Sequence, residues 1–99
     1  MDTIEEQARA LMTGSEGYFW PTATGGALVH MVTRGKGKLV ISRGGVIGTE
    51  LPRLGDAGLV RQEKTARGGY RYTVTRTGKA VAKRIQQIEA ESRKRAAGG

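Results

Sequence analysis

The sequence predicts a single α+β domain, mainly helical with one small antiparallel β-hairpin, on three observations. Apolar residues recur at helical spacing near both ends of the chain. After Gly58 the alternation switches to a period of two. At 99 residues, 37% of them hydrophobic, the chain has apolar material for one core and not for two. The domain is expected to cover residues 1–95, with 96–99 frayed.

The elements follow in order. Ile4, Ala8, Leu11 and Met12 fall on one helical face with charged residues between them, which predicts a first helix over 3–12 that Gly14 ends. Tyr18, Phe19 and Trp20, three of the five aromatic residues, come next and are expected in the core or at an interface rather than as a base-stacking surface. Ala27-Leu28-Val29-His30-Met31-Val32 reads as a buried second helix starting near Thr24, stopped by the glycines around Lys36 and Lys38. A strand-like run, Leu39-Val40-Ile41, follows. Gly44, Gly45 and Gly48 oppose a helix, but Leu51 and Leu54 lie three apart and Gly58 can close a helix with Leu59 folding back. A short helix over 50–57 with Pro52 in its first turn satisfies both constraints. Residues 59–65 and 70–74 predict two strands around a turn at 66–69, with Tyr70, Tyr72 and Val74 on one face and Arg71 and Thr73 on the other. Thr75 can cap a last helix through about residue 95, whose apolar stripe is Val81, Ile85 and Ile88.

Charge says more about function than composition does. The net charge is +8, yet residues 1–50 carry five basic and five acidic groups, so the whole excess lies in 51–99, where twelve basic groups face four acidic ones. A one-sided field of this kind attracts a polyanion. A basic face kept for solubility is the plainer reading, and acidic surfaces serve solubility better than basic ones. The absence of cysteine removes disulfides, thiolate metal sites and a cysteine nucleophile. His30 is the sole histidine and is expected to be structural, so no histidine metal cluster or multi-histidine relay can form. Ser15, Ser42 and Ser92 lack the company of a nucleophile, Gly37-Lys38 and Gly78-Lys79 do not complete a phosphate loop, and Gly44-Gly45-Val46-Ile47-Gly48 reads as a turn. The expectation is a protein that is not an enzyme and needs no cofactor or metal. No apolar run approaches the ~20 residues of a membrane span and the N-terminus is acidic, so a cytoplasmic, nucleoid-associated location is expected.

The ordered combination Leu51, Leu54, Gly58-Leu59-Val60, Arg67-Gly68-Gly69-Tyr70-Arg71-Tyr72 and Val74-Thr75-Arg76-Thr77-Gly78 resembles the C-terminal part of winged helix-turn-helix transcriptional regulators, including MarR-like and PadR-like families. The resemblance covers about half of the chain, and the acidic-then-arginine wing signature of MarR-like proteins is imperfect in it. It implies a winged-helix fold in which the helix before Gly58 enters the major groove and the hairpin, or wing, reaches the backbone or minor groove. By position, Arg53 is the implied base or phosphate contact, and Arg67, between Gly68, Gly69 and the strand before it, the contact at the wing tip. Lys36, Lys38, Arg43, Lys64 and Arg71 are implied phosphate contacts, because cationic side chains release counterions from duplex DNA. Roughly two dozen residues separate Arg34 from Gly58, which is tight for a strand and two helices. The recognition element is therefore expected to be shortened, and base-specific reading with it, while backbone binding survives.

In many such regulators the outer helices build a two-fold dimer, and Ile4, Leu11, Val81, Ile85 and Ile88 could do so here; alternatively these stripes close the monomer's own core. The function expected is duplex-DNA binding, sequence-specific or architectural, by a small homodimeric transcriptional regulator. Two alternatives stay open: a winged-helix interaction module, such as an inhibitor or adaptor for a protein partner, and an RNA binder that stacks bases on an exposed Tyr70 or Tyr72.

Overall fold

A computed structural model describes residues 3–35, 38–41, 51–66 and 69–98, with the backbone alone at 38–41 and 96–98. Among the described residues the chain is α+β, in the order α1 (Thr3–Ala10), β1 (Met12–Ser15), β2 (Tyr18–Pro21), α2 (Ala23–Thr33), β3 (Lys38–Ile41), α3 (Leu51–Asp56), β4 (Val60–Lys64), β5 (Tyr70–Val74) and α4 (Arg76–Gly98).

The first helix is shorter than its apolar spacing suggests. It ends at Ala10, and Met12, Thr13 and Gly14 pair instead with Pro21, Trp20 and Phe19 in an antiparallel hairpin. Glu16 and Gly17 at its tip both have positive φ, 54° and 85°, the backbone pattern of a two-residue turn whose twist matches that of the flanking strands. Gly14 is thus a strand residue and not the end of a helix. The aromatic residues divide between the faces of β2. Phe19 packs against the core, whereas Trp20 is exposed and stacks on Tyr18 with ring centroids 5.5 Å apart.

Thr22 caps α2, its Oγ1 accepting from the Gly25 N–H at 3.2 Å, while its own N–H and hydroxyl both donate to the Leu11 carbonyl. Residues 23–33 are mostly apolar, so α2 buries Ala27, Leu28 and Met31. His30 lies on the exposed side, not packed in the interior as its apolar neighbours suggest.

A second sheet has the strand order β3-β5-β4, all antiparallel. The last helix is 23 residues long and continues to Gly98, so residues 96–98 of the tail expected to fray are helical; alanine, at 96 and 97, has high helix propensity. It packs against α1, α2 and β2 and gives Val81, Ala82, Ile85 and Ile88 to one core shared with Leu28, Met31, Leu51, Leu54, Leu59, Tyr72 and Val74. Among the described residues no helix is long and apolar enough to cross a membrane.

Candidate nucleic-acid interface

The candidate interface is built around the join between α3 and the β4–β5 hairpin. Leu51 and Leu54 are fully buried beneath α3, and Pro52, Arg53, Gly55 and Asp56 remain on its exposed side. The helix closes with a Schellman motif: Leu59 N–H donates to the Leu54 carbonyl at 2.9 Å and Gly58 N–H to the Gly55 carbonyl at 3.0 Å. Gly58 has φ +76°, which costs a residue without Cβ nothing, and Leu59 then folds onto Leu54 in the core.

Thr75 ties this corner to both neighbouring elements. Its N–H donates to the Leu59 carbonyl at 3.0 Å, its hydroxyl reaches the carbonyls of Gly58 (2.8 Å) and Leu59 (3.1 Å), and the same oxygen accepts from Gly78 N–H as the cap of α4. Gly78 sits directly under the Leu59 carbonyl, where a Cβ would overlap that oxygen. The end of α3, the start of β4, the end of β5 and the first turn of α4 therefore meet at one rigid junction, which sets the angle of the hairpin relative to α3.

The hairpin places its cations by alternation. Val60 is buried while Arg61, Gln62, Glu63 and Lys64 are exposed, as suits an edge strand. Arg61 is opposite Thr73 and Glu63 opposite Arg71, so both arginines share the outward face; Lys64 stands opposite Tyr70 on the other face. Thr65 N–H donates to the Gly69 carbonyl at 2.9 Å and Gly69 N–H to Thr65 Oγ1 at 3.1 Å, which closes the loop at its base. Among the described residues the ion pairs join Arg9 and Arg84 to Glu5 and Arg93 to Glu89, and Arg53, Arg61, Lys64 and Arg71 enter none of them.

Of the residues named from sequence, Arg53, Lys64, Gly69 and Arg71 are thus gathered on α3 and the hairpin. Lys36, Arg43, Arg67 and Gly68 lie outside the described residues, as do Gly44, Gly45 and Gly48, and Lys38 is placed only by its backbone, opposite Thr73. Arg61 was missed, although the period-two pattern that assigns Arg71 outward also assigns Arg61. Tyr72 is buried and burial raises its phenol pKa, with Tyr70 beside it contributing; Tyr70 is 40% exposed. A groove of about 390 Å³ opens next to α3, lined by Arg53, Leu54 and Ala57 and by residues of α1 and α2. No three His, Cys, Asp or Glu side chains among the described residues come together as metal ligands.

The proposed dimer residues need correction. Val81, Ile85 and Ile88 are at most 4% exposed within the single chain, so they have no surface left for a second copy; Ile4 and Leu11 are half-buried against the same core. The stripe that could close either a monomer or a dimer closes the monomer, because α1, α2 and β2 already cover it.

Comparison with protein-family models, with curated proteins and with solved structures finds no match to this chain.

Proposed function

We propose that this chain is a small winged-helix protein that binds duplex DNA mainly through the phosphate backbone, as an architectural protein or regulator of transcription. The observation that carries the reading is the set of exposed cations Arg53, Arg61, Lys64 and Arg71, in no ion pair among the described residues and carried by α3 and a hairpin that meet at the Thr75 junction. Support for the winged-helix assignment comes from the strand order β3-β5-β4 with α3 leading directly into the β4–β5 hairpin. The exposed side of α3 has a single cation, Arg53, with Asp56 three residues on, so little of it can read base edges. Burial of Tyr72 leaves Tyr70 alone as a stacking ring, which disfavours RNA recognition on the sheet.

The test is a titration against random duplex, random single strand and a selected-sequence pool between about 50 and 200 mM salt. Four phosphate contacts give a slope of log K against log salt near −3.6 for duplex, and Arg71→Ala makes it shallower by about one. A backbone binder gains less than about tenfold from the selected pool. Salt-independent affinity, or preference for single strands, refutes the proposal. A protein-interaction module is the second reading, favoured by the exposed Trp20 stacked on a half-buried Tyr18. Under the duplex reading Trp20→Ala leaves DNA affinity unchanged.

A further inference from the structure

The last helix has a basic stripe that neither the hairpin nor α3 shares. At about 100° per residue, Arg76, Lys79, Lys83, Gln87, Ala90 and Lys94 fall within about 80° of arc, and all but the neutral pair Gln87 and Ala90 are cationic. Every one of these six side chains is exposed. The opposite side of the helix, with Gly78, Val81, Ile85, Ile88 and Ser92, is buried in the core. The stripe is therefore a solvent face whose direction is set by tertiary packing.

Its cations differ from two others on the same helix. Arg84, turned toward α1, is paired with Glu5, and Arg93 pairs with Glu89 at 3.7 Å. Arg76, Lys79, Lys83 and Lys94 form no ion pair among the described residues. Glu91, the exposed carboxylate nearest the stripe, lies about 60° round the helix from the line through Arg76 and Lys94. From Arg76 to Lys94 the stripe runs about 27 Å, the axial length of roughly eight base pairs.

We propose that the solvent face of α4 is a second phosphate-binding surface for duplex DNA, separate from the α3–hairpin interface. The proposal rests on the duplex-binding reading above and extends it to a surface that makes no base contact. A linear array of unpaired cations, with neutral residues between them, fits a phosphate backbone. It does not fit a bilayer, because an interfacial helix must bury an apolar face in lipid and the apolar face of α4 is already in the core.

The experiment uses the full chain with Arg76, Lys79, Lys83 and Lys94 changed to Gln, and in parallel a hairpin variant with Arg61, Lys64 and Arg71 changed to Gln. Thermal midpoints check folding, and a stripe variant with Lys79→Arg, Lys83→Arg and Lys94→Arg serves as the charge-retaining control. Each is titrated with random duplex across salt, and with phosphatidylcholine vesicles containing about a third phosphatidylserine. With both surfaces engaged the wild-type slope is about −7, and the stripe-to-Gln variant is expected to bind duplex at least tenfold more weakly at about 50 mM salt, with a slope shallower by about 3.6, while the arginine control matches wild type. Duplex affinity and slope equal to wild type overturn the inference, and so does a loss confined to vesicles. A stripe variant that loses affinity beside an unaffected hairpin variant upholds the α4 surface and removes the hairpin site. The reverse pattern removes the α4 surface and leaves the hairpin site standing.

Discussion

At Gly78 the difference between hydrogen and a methyl group decides whether the α3–hairpin junction can close. The nearest obstacle to a Cβ is the Leu59 carbonyl, a backbone atom that cannot swing aside, and Val74 Cγ1 lies 2.7 Å away. Gly78→Ala is therefore expected to cost about 1–3 kcal/mol despite the better helix propensity of alanine, seen as a lower urea midpoint with an unchanged m-value. Gly26→Ala supplies the contrast. It lies inside α2 with open space where its Cβ would go, so the propensity gain appears undiluted, about 0.5–1 kcal/mol of added stability. Equal midpoints for the two variants would contradict the steric account of Gly78. Thr75 as a helix cap and Gly58 as a helix end are both legible in the sequence because their partners are close along the chain. The close approach at Gly78 is not, since its nearest obstacle, Leu59, lies in the link between α3 and β4, nineteen positions away in the sequence.

Between elements, two polar contacts hold the N-terminal third to α4. Glu5 on α1 takes a two-pronged hydrogen bond from Arg84 and another from Arg9, and these guanidinium groups lower its carboxyl pKa to about 2. A pKa depressed by folding means that the folded state prefers the ionised form. The contribution is then complete above the ordinary carboxylate range and disappears as pH falls from that range toward 2. Thermal midpoints followed from pH 6 to about 2 should fall less for Glu5→Gln than for wild type; parallel curves would show that the contact does not couple to folding. Ser92 holds the hairpin. Phe19 N–H donates to its hydroxyl oxygen at 3.0 Å, and that hydroxyl can donate to the carbonyls of Phe19 or Glu89, so one side chain covers an edge of β2 as a neighbouring strand would. Ser92→Ala is expected to cost about 1–3 kcal/mol and to speed amide exchange at Phe19, because a partly buried donor loses its partner. Exchange at Phe19 unchanged by the substitution would count against this role. The hairpin itself escapes the sequence reading because Ile4, Ala8, Leu11 and Met12 also fit a helical face. The aromatic β2 pairs with residues 12–15 through a turn whose Glu16 is not a usual positive-φ residue.

Across the whole molecule one core joins all four described helices to β5, and Ile85 is among its most buried side chains. Ile85→Ala should remove about 2–5 kcal/mol, a large share of the stability of a domain this size, while sedimentation shows the same oligomeric state as wild type. A shift in oligomeric state without loss of stability would return Ile85 to an interface. By itself the sequence determined the α+β class, the second helix, the short helix closed by Gly58, the hairpin after it, the long capped last helix, and the placement of excess charge in the second half. Each of these depends on periodicity, capping or charge count, which are local properties of the chain. Only the tertiary structure decided that residues 12–15 leave the first helix to pair with β2, and that the Val81–Ile85–Ile88 stripe faces inward. It also decided which cations of the second half, among the described residues, keep a carboxylate partner. Those outcomes depend on what another element brings to within a few ångströms, and no spacing along the chain encodes that.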